Sequence, residues 1–152
     1  MKKIMTVLVL GLIGFGVRAQ ETMQQVMEKR SHEMHRVICL SDKEQWRKFI
    51  KENYTQALID KPMRSKVSKN DDAGATEEKK EIPSNLDGKV EMFQRLHDDF
   101  GGSKITSIKP NGNRLEMVLS DANLSGTFNL TFSTSKPYLI DGVGIQVEAG
   151  NR

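Results

Sequence analysis

The stretch RSHEMHRVIC, residues 30–39, holds two of the chain's three histidines and its single cysteine. His32, His35 and Cys39 are residue types that bind zinc or copper. At about 100° per residue they fall within one sector of a helix, with Cys39 between the two histidines. Two facts argue against a metal centre. HEMH has i, i+3 spacing, one residue short of the H-E-x-x-H pattern that seats two imidazoles on one zinc ion. The stripe Met23, Met27, Met34 and Ile38 occupies the opposite side of the same helix, so the three candidates belong to the face expected to meet water. Glu28 is the one nearby residue suited to complete a ligand set. The reading is a solvated surface, with no metal and no cofactor. Cys39, having no partner within the chain, borders the core or pairs between chains.

The third histidine, His97, lies about 40° from Phe93 on a later helix, at the edge of its buried face. Helices packed on a sheet often leave a cavity at such an edge, so His97, Tyr54 and Trp46 form the candidate ligand-binding set. No serine, cysteine or second carboxylate is placed to complete a catalytic constellation. Ser133 to Lys136 matches S-x-x-K, but it runs into Pro137 and has no S-D-N or K-T-G partner. Asp99-Phe100-Gly101 lacks the glycine-rich loop and H-R-D of a kinase. The expectation is a protein that is not an enzyme. The alternative is a small pocket enzyme in which His97 is the acid or base and Tyr54 assists.

The elements that position these residues follow from hydrophobic rhythm. Residues 22–39 read as an amphipathic helix with a methionine stripe, more consistent with core than with a binding surface. Ser41 to Glu44 resembles a capping box. Trp46, Phe49, Ile50 and Tyr54 then share one face, and Ala57, Leu58 and Ile59 extend the helix until Pro62 ends it. Residues 63–85 are rich in charge and poor in aliphatics, the pattern of a flexible, solvated insertion. Val90, Phe93, Leu96 and Phe100 make another buried face, closed by Gly101-Gly102. Beyond Gly102 the period drops to two. KITSIK, RLEMVLS, TFNLTFS and YLIDGVGIQVE read as four strands joined by short turns, an antiparallel meander with one apolar face. The expected fold is α+β: two to three N-terminal helices packed on a curved four-stranded antiparallel sheet.

The first 19 residues read as a secretory signal: Lys2 and Lys3, an uncharged run from Ile4 to Val17, and a cleavage site after Ala19. That run is shorter than the roughly 20 residues a spanning helix needs. The expected organisation is a signal peptide at 1–19 and a single α+β domain at 20–152 with the insertion at 63–85. The whole chain carries 23 basic and 20 acidic residues; removing Lys2, Lys3 and Arg18 leaves the two signs equal. A neutral domain offers no net basic footprint for nucleic acid. No later segment is apolar enough to span a membrane.

WRKFIKENYT (46–55), RLHDDFGGSKITSI (95–108) and YLIDGVGIQV (138–147), in that order, resemble the small domain found upstream of the catalytic domain in secreted bacterial serine hydrolases, β-lactamase-like enzymes and tail-specific proteases among them. The likeness spans most of residues 42–147. It implies an NTF2-like or cystatin-like fold and a non-catalytic accessory role. His97 matches the motif histidine. The hydrolase domain itself has no counterpart here, so hydrolase activity is not carried over. The expectation is a secreted or periplasmic accessory module whose partner is an envelope protein, a small-molecule ligand or a second copy of itself.

Overall fold

The computed structural model describes residues 21–62 and 85–149. The proposed signal peptide and all of the proposed insertion except Asn85 lie outside the described residues. Four helices precede four strands: α1 (Met23–Ile38), α2 (Lys43–Asn53), α3 (Gln56–Asp60), α4 (Leu86–Phe100), then β1 (Lys104–Asn111), β2 (Arg114–Ser120), β3 (Leu124–Phe132) and β4 (Ile140–Ala149). The strands form one antiparallel sheet in the order β1-β2-β3-β4, the expected meander. It is open and not strongly curled.

Each helix starts at a side chain that accepts an otherwise orphaned backbone N–H. Thr22 and Gln25 form a reciprocal capping box on α1. The cap of α2 is Asp42, not Ser41: its carboxylate accepts from the N–H of Glu44 and of Gln45. Asn85 caps α4. The helical faces meet the sheet as the rhythm requires. Met27, Met34, Val37 and Ile38 of α1, Trp46, Phe49 and Ile50 of α2, and Val90, Phe93, Leu96 and Phe100 of α4 are buried. They lie in one core with Leu115, Met117 and Leu119 of β2 and Phe128, Leu130 and Phe132 of β3.

Three local features differ from the sequence reading. The second helix does not run on through residue 59. It stops at Asn53, Tyr54 is extended, and Thr55 caps the separate α3. The break has a cause in the sheet: Tyr54 bridges Ile140 in parallel, and the Thr55 N–H donates to the Ile140 carbonyl at 2.9 Å. The Thr55 hydroxyl adds a bond to Asp141 at 2.7 Å. Second, β1 continues through Pro110, which an edge strand tolerates because one side of it has no ladder to supply. The hairpin is left with Gly112-Asn113, and Gly112 takes φ 60°, the geometry that a tight two-residue turn asks of its first position. Third, the β2–β3 turn is shorter than DANLSG, because β3 begins at Leu124.

Candidate functional site

Trp46 and His97 do come together. Their ring centroids are 5.8 Å apart at 44°. Both are tied to the end of α1: the indole Nε1 donates to the Val37 carbonyl at 2.7 Å, and His97 Nδ1 lies 2.8 Å from the Ile38 carbonyl. A carbonyl can only accept, so Nδ1 carries the proton in this contact. The pair thus cross-braces α1, α2 and α4. Gly101 closes in on the same imidazole: a Cβ there would lie 2.8 Å from Nδ1. Tyr54 stands apart from this pair, among Phe49 and Phe93 at centroid distances of 6.1 and 6.4 Å. Its hydroxyl is enclosed without a hydrogen-bond partner, and burial raises its pKa well above the ordinary phenol value.

The three residues with metal-binding chemistry divide. His32 is exposed. His35 and Cys39 are half-buried and adjacent, with Sγ 3.4 Å from Nε2, and the same Nε2 lies 3.0 Å from the Ser103 carbonyl where the chain enters β1. His35 therefore faces the sheet entrance rather than open water. Burial raises the Cys39 thiol pKa, the opposite of what a reactive thiolate needs. Among the described residues no three His, Cys, Asp or Glu side chains are grouped to hold a metal ion.

Two clefts lie elsewhere. A groove of about 500 Å³ runs along α1 past Val26, Lys29, Arg30, Glu33 and Asn53. A second, of about 340 Å³, lies between α1 and the β3–β4 connection, past Lys136, Pro137 and Tyr138. Arg30 lines both. Its guanidinium donates through Nη1 to the Asn53 side-chain oxygen and through Nη2 to the Pro137 carbonyl at 3.0 Å, while Nε is enclosed with no partner. Asn53 is itself fixed by its amide, which donates to the Phe49 carbonyl at 2.9 Å. Both acceptors for Arg30 are neutral. Burial pushes the guanidinium below its ordinary pKa, and Glu21 pulls the other way. The neighbouring charges are spoken for: Lys29 pairs with Glu21 at 3.4 Å and Arg36 with Glu33 at 2.6 Å. Among the described residues no carboxylate stands within 4.0 Å of Arg30's nitrogens; Glu21, which lines both clefts with it, acts on its charge only from a longer range.

Sequence reasoning missed Arg30. It sits in EKRSHEMH among residues assigned to a solvated face, and nothing in that pattern separates it from Lys29 or Arg36. Its distinction comes from Asn53 and Pro137, 23 and 107 residues away along the chain. Compared with protein-family models, with curated proteins and with solved structures, the chain has no match.

Proposed function

We propose that this chain is a secreted, non-catalytic binding module of the NTF2-like or cystatin-like accessory kind, and that it grips an acidic group of its partner at Arg30. The observation that carries the reading is the half-buried guanidinium with neutral acceptors only, set where two clefts meet. A half-buried charge with no carboxylate in contact is costly, and an incoming carboxylate relieves that cost through charge-assisted hydrogen bonds. Each Nη keeps a further N–H for it, in the fork geometry that matches a carboxylate. The apolar side chain of Val26 beside it suits an acidic group carried on an apolar stem.

The side chains with catalytic chemistry point the same way. His97 and His35 contact backbone carbonyls, and the Tyr54 hydroxyl is enclosed without a partner. These are bracing roles, and they favour binding over turnover. Secretion rests on residues 1–19, and the accessory role on the resemblance carried by residues 46–55, 95–108 and 138–147.

The test is a titration of the chain from Gln20 onward with a short acidic peptide, followed through backbone amide chemical shifts. Shifts should cluster on Arg30, Asn53 and residues 136–138, and should vanish in Arg30→Gln. Shifts scattered over the surface, or unchanged by that substitution, would end the proposal.

A further inference from the structure

The sheet has two edges, and they are treated differently. β1 carries the usual protections against strand-to-strand association: exposed Lys104 and Lys109, Pro110, and a register break between Ile105 and Ser107. β4, IDGVGIQVEA, has no lysine, arginine or proline. Its edge is occupied at one end only, where Tyr54 and Thr55 bridge Ile140. Among the described residues nothing pairs with the outer side of 141–149.

The core-facing side chains of this strand are also incompletely covered. Val143, Ile145 and Val147 stand opposite Leu130, Phe128 and Gly126, on the face that the helices cover elsewhere. Yet Val143 and Ile145 are only partly buried, and Val147 is 53% exposed. An apolar row that continues the core to an unguarded edge is the surface a further strand would complete.

We infer that the occupant is β4 of a second copy, paired antiparallel about a two-fold axis at Ile145, giving a continuous eight-stranded sheet. Three observations favour a second copy over a foreign strand. The stretch whose outer backbone edge has no partner, 141–149, is centred on Ile145, so a symmetric pairing uses all of it and stops short of the Tyr54 bridge. In that register Ile145 faces its own copy and Val143 faces Val147, so the apolar rows align on one side of the sheet. On the other side Glu148 falls opposite Gly142 and Gln146 opposite Gly144, each long polar side chain meeting a glycine and no like charges meeting. Moving the axis to between Gly144 and Ile145 sets Asp141 against Glu148 and turns the apolar rows to opposite sides. Centring it on Gly144 sets Val147 against Asp141.

Isologous pairing of this kind closes at two copies. The chain from Gln20 onward should therefore sediment as a dimer. Val147→Lys, which alters an exposed side chain, should weaken the dimer roughly tenfold or more and leave the circular dichroism spectrum unchanged. In a Cys39→Ser background, Ile145→Cys should form a covalent dimer under mild oxidation, because facing residues lie about 5 Å apart between Cα atoms. Val143→Cys should not, because its own copy lies four residues along the facing strand. A monomer at all concentrations, a dimer indifferent to Val147→Lys, or equal cross-linking at 143 and 145 each overturns the inference. So does a monomer whose β4 amides resist hydrogen exchange only once a foreign strand peptide is added. None of these outcomes depends on Arg30, so this inference and the acidic-group reading fail separately.

Discussion

The ring of Phe100 occupies the space in which a side chain on Gly126 would stand. A Cβ at Gly126 would overlap the Cζ and Cε1 atoms of that ring. Phe128 packs edge-on against the same ring, with centroids 5.3 Å apart at 75°. The end of α4 is thus seated directly on the backbone of β3. Gly126→Ala should destabilise the protein by about 1–3 kcal/mol, the range for overpacking a filled core. Urea denaturation followed by circular dichroism measures this. An unchanged midpoint would mean that Phe100 is not seated there.

Tyr54→Phe should stabilise the protein by about 1 kcal/mol, because it removes an enclosed hydroxyl that has no partner while keeping the ring among Phe49 and Phe93. The pH dependence follows from the raised phenol pKa. In the unfolded chain the phenol ionises near its ordinary 10.0, while the folded chain keeps it neutral. The unfolded state therefore holds fewer protons above that pH, and stability falls as pH rises beyond it. Tyr54→Phe should lack this alkaline loss, as denaturation midpoints either side of pH 10 would reveal.

Lys89 is buried, with its ammonium donating to the Lys61 carbonyl at 2.5 Å, and desolvation lowers its pKa from 10.5. The sign is opposite to that of Tyr54. Between the lowered folded value and 10.5 the unfolded chain binds more protons, so stability rises with pH through that window and levels off above it. Lys89→Met should raise the melting temperature at neutral pH and flatten the slope. The comparison is cleanest in a Tyr54→Phe background, where the phenol no longer titrates. A steeper slope in Lys89→Met would contradict the burial of the ammonium.

Export should leave Gln20 as the first residue. Mass spectrometry of the protein recovered from the outside of expressing bacterial cells, or from their periplasm, should give a chain lacking 1–19. Recovery solely inside the cell with Met1 or Lys2 at the amino terminus would remove secretion from the proposal.

The elements were largely legible because their signals are local. The 3.6-residue rhythm of Met27, Met34 and Ile38 and the alternation of Leu115, Met117 and Leu119 each declare a buried face within a few residues. The α2–α3 break was not legible, since helical periodicity continues through Leu58 and the cause lies at Ile140. The Asp42 cap was one residue from the expected Ser41, a choice between two competent acceptors that spacing alone does not make. For the candidate site the sequence offered chemistry without geometry. It named Trp46, Tyr54 and His97 as a ligand-binding set, yet it could not see that Trp46 and His97 would both meet carbonyls of α1. Arg30 was hidden for the same reason: a guanidinium's surroundings are set by tertiary contacts, and only its polarity is written locally.

The joint between Tyr54 and Ile140 has a consequence for synthesis on the ribosome. The bend that ends α2 and starts α3 is fastened to the last strand, so that bend has no partner while the strand is still inside the exit tunnel. Nascent chains would emerge with the aromatic side chains of α2 in want of a floor, which arrives only when the last residues leave the ribosome.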